Sequence, residues 1–132
     1  MCCIIGQMMK THSYHFILKG KADYKDLVPV FPDILKTILA ENDHFQSDED
    51  EESREMFIDM NMADLELNRK PEGYNRKGKY RLIFPIGSKE FYITSTVAKP
   101  NEVKKVGDRI KEILSTASSI KFETSAGDEE ID

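Results

Sequence analysis

Alternating apolar and polar positions predict two strands in the first half of the chain. Residues 13–19 place Tyr14, Phe16 and Leu18 on one face, and this period-two spacing with aromatic residues is typical of a half-buried strand. Residues 56–62 alternate in the same way, so we expect a second strand there. Its inward positions would be Met56, Ile58, Met60 and Met62, and on this interpretation the methionines fill the core.

Two further strands are predicted at residues 80–84 and 91–97. The inward positions are Tyr80, Leu82 and Phe84 in the first strand and Phe91, Ile93, Ser95 and Val97 in the second. The connection at 85–90 contains Gly87-Ser88, which suits a hairpin turn. The preceding residues 68–78 contain Pro71, Gly73 and Gly78 and read as a polar loop.

Apolar spacing of three and four residues predicts two helices. The first contains Pro32 in its first turn and an apolar stripe up to about Glu41. Its stripe consists of Ile34, Leu35, Ile38 and Leu39. The second begins near Asn101, and its stripe consists of Val103, Val106, Ile110, Ile113, Leu114 and Ala117. Between the first strand and first helix, Asp23 is placed to cap a short helical turn.

The order of these elements predicts an α+β fold. The order is β-α-β-β-β-α, and the last three strands follow one another with no helix between them, which favours an antiparallel arrangement. We expect a two-layer sandwich, with a mostly antiparallel sheet of about four strands and two helices on one face. Residues 1–122 would form this single domain, with Ile120 and Phe122 adding a turn or an edge strand at its end.

Composition narrows the class of protein. Apolar residues make up 39% of the 132 residues, enough for a core, and no apolar run approaches the ~20 residues of a membrane-spanning helix. The first residues lack the basic start and long apolar core of a signal peptide. The two cysteines, Cys2 and Cys3, are adjacent, so a disulfide bond between them cannot link separate parts of one fold. We expect a cytoplasmic location, or a nuclear one in a eukaryote, and no membrane association.

Acidic residues are concentrated in two segments. Residues 41–55 hold eight acids and one base, and residues 123–132 hold five acids and no base. Like charges close together repel one another and stay solvated. The pattern therefore predicts an acidic mobile loop at about 42–55 and an acidic disordered tail at 123–132.

Basic residues are concentrated between the two acidic segments. We call residues 69–81 the basic segment, because it holds six bases and one acid. Its cations, together with a tyrosine able to stack, form the candidate partner-binding set Arg69, Lys70, Tyr74, Arg76, Lys77, Lys79 and Arg81. The leading hypothesis is a non-catalytic protein-interaction or adaptor module with a protein partner. The alternative is an RNA or single-stranded nucleic-acid-binding domain, in which the cations pair phosphates and tyrosines stack on bases.

The opening Met1-Cys2-Cys3-Ile4-Ile5-Gly6 is similar to the start of class II glutamine amidotransferases. In that family a cysteine becomes N-terminal when the methionine is removed, and its thiol is the nucleophile. The resemblance implies that Cys2 would attack the substrate in an N-terminal cysteine amidohydrolase, the third hypothesis. Cys3 stands where the family has glycine.

The remaining sequence indicates neither a catalytic site nor a cofactor. It contains no nucleophile-elbow motif around a serine, no Gly-rich phosphate-binding loop and no convincing pair of carboxylates for acid–base catalysis. The soft metal ligands are Cys2, Cys3, His12, His15 and His44. His12 and His15 meet the spacing of a zinc site only loosely, His15 belongs to a predicted strand, and adjacent cysteines do not easily converge on one ion. We therefore expect no metal, no cofactor and, on balance, no enzymatic activity.

Overall fold

The computed structural model describes residues 10–42, 48–76 and 78–130. In chain order the strands and helices are β1 (Lys10–Lys19), α1 (Phe31–Ala40), α2 (Asp48–Glu66), β2 (Arg81–Ile83), β3 (Glu90–Ser95), α3 (Pro100–Ser115) and β4 (Lys121–Glu130). A 3-10 turn at Tyr24–Leu27 lies between β1 and α1. Asp23 caps this turn, accepting a hydrogen bond from the Tyr24 backbone N–H at 2.8 Å, which confirms the predicted cap.

The four strands form one antiparallel sheet in the order β2-β3-β1-β4. Tyr14 of β1 lies opposite Ile93 of β3, and Leu18 lies opposite Phe122 of β4. The short β2 continues the sheet outward from β3, with Arg81 opposite Thr94. The predicted α+β class and four-stranded antiparallel sheet are confirmed, with three helices in place of the expected two.

The core lies between one face of the sheet and the helices. Alternate strand residues supply the sheet side: Tyr14, Phe16, Leu18, Leu82, Phe91 and Ile93. The stripes predicted on α1 and α3 supply most of the helix side, including the fully buried Ile34, Leu35, Ile38, Leu39, Ile110 and Leu114. Tyr80, Leu82 and Phe84 are all buried, so the inward parity predicted for 80–84 is correct. Val97 was predicted to face inward as well, and this is wrong: its side chain is 71% exposed, because β3 ends at Ser95.

The strand predicted at 56–62 is wrong, because these residues belong to α2. Ile58, Asn61 and Leu65 are buried, and their spacing of three and four residues places them on one face of a helix. Met56 and Met60 are about half exposed, so those two methionines do not fill the core. Over seven residues the alternation imitates a strand, and only the longer helical spacing separates the two structures.

The acidic run before residue 56 also differs from its prediction. Residues 48–55, expected in a mobile loop, form the first half of α2, while residues 43–47 lie outside the described part of the chain. Carboxylates near a helix N-terminus are favoured by the partial positive charge of its unpaired N–H groups. Glutamate is also a good helix former, so this run can stay solvated without being irregular.

The C-terminal acidic segment is a strand over most of its length. Residues 123–130, expected in a disordered tail, belong to β4 and pair with β1, while residues 131–132 lie outside the described residues. Of the two alternatives left open near Phe122, a turn or an edge strand, the structure has the edge strand, and it extends to Glu130. An edge strand pairs with the sheet on one side only, and charged residues are common in such strands.

Candidate functional site

The basic segment is held against α2 by a buried asparagine. The Gly73 backbone N–H donates to Asn61 Oδ1 at 2.7 Å, and Asn61 Nδ2 donates to the Gly73 carbonyl at 3.2 Å. Asn61 thus pairs with Gly73 as a neighbouring strand would. Gly73 has φ 73°, a left-handed conformation that glycine adopts without strain. The Asn61 amide fixes one point of the segment to the core.

Two other asparagines fix the ends of the segment. The Tyr80 N–H donates to Asn42 Oδ1 at 2.9 Å, and Asn42 Nδ2 donates to the Tyr80 carbonyl at 3.3 Å. Asn68, at φ 56°, accepts a hydrogen bond from the Lys25 N–H at 2.9 Å. The basic segment is therefore anchored by side chains at Gly73 and Tyr80, and a third anchor lies at Asn68, the residue before it.

The structure does not bring all seven predicted binding residues to one surface. Arg69 forms an ion pair with Asp64 at 3.1 Å, and Lys79 forms one with Glu102 at 2.9 Å. Both cations thus have carboxylate partners within the chain. Lys77 lies outside the described residues.

Tyr74 is not available for stacking on a ligand. Its exposure is 3%, and its ring packs edge-on against Phe57, with centroids 5.2 Å apart. Its backbone exchanges two hydrogen bonds with Leu82, at 2.8 and 2.9 Å, and burial raises the pKa of its hydroxyl. Tyr74 extends the sheet and core, and its assignment to the binding surface is corrected.

Lys70 and Arg76 line a cavity of about 470 Å³ between α2 and the basic segment. We call this cavity the α2 groove; its lining includes Phe57, Met60, Asn61, Lys70, Glu72 and Arg76. A smaller cavity of about 270 Å³ shares Met60, Asn61 and Glu72 with it. The two cavities together extend the depression along α2.

The α2 groove combines apolar and cationic groups. The Arg76 guanidinium carbon lies 4.8 Å from the centre of the Phe57 ring, within the range of a cation–π contact. Met60 is 48% exposed, and its flexible thioether can adapt to different apolar surfaces. Lys70 and Arg76 are both exposed, and Glu72 supplies one opposing charge. The groove can therefore contact an apolar side chain and a carboxylate together.

Lys79 and Arg81 line a different cavity, of about 520 Å³, which shares no lining residue with the α2 groove. Arg81 lies on β2 with Thr94 opposite it on β3. Sequence proximity therefore misled the prediction, because the cations of residues 69–81 divide between two places.

Sequence reasoning missed the groove residues that belong to α2. Phe57 and Met60 were assigned to a strand, so their proximity to Lys70 and Arg76 was not foreseen. The three asparagines carried no charge or periodicity signal that would have singled them out. A helical interpretation of 48–66 would have placed Phe57 and Met60 three residues apart on one face.

The described residues contain neither a cluster of metal ligands nor a membrane-spanning helix. Among them, no group of three or more His, Cys, Asp or Glu could hold a metal ion, and no helix is long and apolar enough to cross a membrane. His15 is placed 3.4 Å from a Glu90 oxygen. Cys2, Cys3 and His44 lie outside the described residues, so the amidohydrolase hypothesis stays a prediction.

Comparisons of the chain with protein-family models, curated proteins and solved structures find no match.

Proposed function

We propose that this chain is a protein-interaction module whose α2 groove binds an acidic peptide segment with an apolar anchor. The observation that carries the proposal is the juxtaposition of Phe57 and Met60 with Lys70 and Arg76 around one cavity. The apolar pair would receive the anchor, and the two cations would pair with flanking carboxylates. Cations that recognise carboxylates at an interface add specificity and speed association.

The asparagine anchors support binding by a preformed surface. Binding costs free energy when a loop must be ordered, so a surface ordered in advance binds more tightly. Asn61 holds Gly73 in the middle of the groove wall. Asn42 and Asn68 hold the two ends of the basic segment. The groove is thus built on fixed backbone although its wall has no regular secondary structure.

The burial of the tyrosines favours a peptide over RNA at the groove. Binding of single-stranded nucleic acid uses aromatic rings on which bases stack. Tyr74 and Tyr80 of the basic segment are 3% and 0% exposed, so neither ring offers a face. Glu72 in the groove would also oppose a phosphate backbone.

The proposal is tested by selection from a phage library of random 12-residue peptides against the full chain. We expect enrichment of peptides in which acidic residues flank a large apolar residue. A synthetic peptide of the selected sequence should lose at least tenfold in affinity for the double variant Lys70→Glu, Arg76→Glu, because two attractive charges become repulsive. Lys36→Glu, an exposed charge reversal on α1, is the control and should bind as the wild type does.

Two results would overturn the proposal. One is the absence of any enriched acidic peptide, and the other is equal affinity for the wild type and the groove variant. The melting temperature of each variant is measured in parallel, and Met60→Gln provides a second, charge-neutral change in the groove. It should weaken binding of the same peptide through loss of the apolar contact.

A further inference from the structure

One face of the sheet carries the core, and the other carries partly exposed polar and aromatic side chains. We call the second the open face. Its partly or fully exposed residues alternate with the core residues and include Thr11, His15, Arg81, Tyr92 and Thr94, while Ser13 on the same face is buried. None of these residues belongs to the α2 groove, so the open face is a separate surface.

A cradle for an anion lies at one end of the open face. The cavity of about 520 Å³ is lined by Arg81 and by the hydroxyl-bearing Thr11, Thr94 and Thr96. Lys79 also lines it, but its charge is paired with Glu102 at 2.9 Å. Arg81 Nε donates to the Arg76 carbonyl at 3.2 Å, which orients the guanidinium. A guanidinium and hydroxyl groups together suit a phosphate, because both donate hydrogen bonds to its oxygens.

A pair of aromatic rings in tilted contact lies beside this cradle. The ring centres of His15 and Tyr92 are 4.5 Å apart, with 30° between the planes. Two hydrogen bonds hold the imidazole: Nε2 lies 3.1 Å from Ser13 Oγ, and Nδ1 lies 3.4 Å from Glu90 Oε2. His15 and Tyr92 are both partly exposed. The pair therefore forms a fixed aromatic surface within the sheet.

The spacing between the cradle and the rings fits one nucleotide. Tyr92 and Thr94 are two residues apart on β3, which corresponds to roughly 6.6 Å along a strand. This separation is comparable with the distance between the base and the phosphate of a nucleotide. A base on the rings would thus place its phosphate near Arg81 and Thr94.

We infer that the open face binds a nucleotide unit, with the base against Tyr92 and His15 and the phosphate at Arg81 and Thr94. The occupant is one nucleotide of a single-stranded nucleic acid. A free mononucleotide presents the same base and phosphate and is the alternative that the test distinguishes. This inference does not rest on the α2 groove, and the two sites can fail independently.

The test is fluorescence anisotropy of fluorescein-labelled decauridine and decathymidine with the full chain, followed by competition with AMP and with inorganic phosphate. We expect Tyr92→Leu to weaken binding about five- to 150-fold, the range for one base–aromatic stack. Arg81→Gln should weaken it and reduce the slope of log Kd against log salt by about one, because one phosphate contact is lost.

Controls separate this site from general charge and from folding. Arg69→Gln removes an arginine that is paired with Asp64, and should leave the affinity for the oligonucleotides unchanged. Thr94→Val keeps the shape of its side chain while removing the hydroxyl, and should weaken binding without loss of thermal stability. Lys70→Glu, the groove change, should have little effect here, which distinguishes failure at one site from failure at the other.

The competition decides between the two sources of the nucleotide. An oligonucleotide that binds much more tightly than AMP supports a single-stranded nucleic acid as the occupant, and equal affinities would contradict it in favour of a mononucleotide. The inference is overturned if neither probe binds, or if inorganic phosphate competes as well as AMP. Equal binding by wild type, Arg81→Gln and Tyr92→Leu would also overturn it.

Discussion

Asn61 and Gly73 exchange two hydrogen bonds, at 2.7 and 3.2 Å, between a helix and a segment without regular structure. Asn61 Nδ2 also donates to the Phe57 carbonyl at 2.7 Å. Asn61 is 3% exposed, so the amide takes the place of water for the Gly73 backbone. This relationship joins the two sides of the α2 groove.

Replacing Asn61 by alanine should therefore destabilise the protein by about 2–4 kcal/mol. The substitution leaves the Gly73 N–H and carbonyl without their partner, and each buried unsatisfied group costs roughly 1–3 kcal/mol. Urea unfolding monitored by circular dichroism measures the change. Asn101→Ala, at an exposed position of α3, is the matched control and should change stability by less than about 0.5 kcal/mol. Equal midpoints for Asn61→Ala and the wild type would contradict the anchoring role.

Gly107→Ala should destabilise the protein, against the usual preference of helices. Alanine is favoured over glycine by about 1 kcal/mol inside a helix. At residue 107, however, a Cβ would overlap the ring of Tyr14, which packs beneath α3. Overpacking of this kind costs about 1–3 kcal/mol, and we expect it to exceed the gain. Lys105→Ala, exposed on the same helix, is the control for propensity alone, and thermal unfolding measures both. A higher melting temperature for Gly107→Ala would show that α3 does not lie this close to β1.

Tyr80→Phe should stabilise the protein at neutral pH by about 1 kcal/mol. The Tyr80 side chain is 0% exposed, and its hydroxyl has no hydrogen-bond partner among the described residues. A buried hydroxyl without a partner is unfavourable, and phenylalanine keeps the ring. Chemical unfolding at pH 7 measures the difference, and a loss of stability would show that the hydroxyl is satisfied in solution.

The same substitution should reduce alkaline destabilisation. Burial, with smaller effects of Glu41 and Glu102, raises the pKa of Tyr80 from 10.0 to about 12. The unfolded chain therefore loses this proton first, and stability falls as the pH rises from about 10 towards 12. The loss of stability is roughly 3 kcal/mol at most. The free energy of unfolding of Tyr80→Phe should decline less over this range, while parallel declines would contradict the assignment.

The parts of the fold that local pattern predicted share one property: their apolar stripes face the core. In β1 this applies to Tyr14 and Phe16, and in α3 to Val106 and Ile110. The period of the sequence indicates which face of such an element is apolar and therefore turns to the core. The prediction failed in α2 because Met56 and Met60 are apolar yet half exposed, which shifted the apparent period.

The candidate site was less predictable, because its geometry depends on contacts distant in sequence. The charge of the basic segment was visible, but the ion pair of Lys79 with Glu102 joins residues 23 positions apart. Tyr74 was taken for a stacking ring, and its burial follows from its pairing with Leu82. The sequence shows which residues are charged or aromatic, whereas tertiary packing decides which of them remain accessible to a ligand.

The most direct test of the central claim is a two-dimensional ¹H–¹⁵N NMR titration of the full chain with a synthetic peptide of the selected acidic sequence. The account predicts that the largest chemical-shift changes fall on backbone amides of residues 57–61 and 70–76, on both sides of the α2 groove. Amides of β1 and β3 should change little, and the Lys70→Glu, Arg76→Glu variant should show no saturable change. Shifts confined to the sheet, or an unchanged response in that variant, would contradict the account.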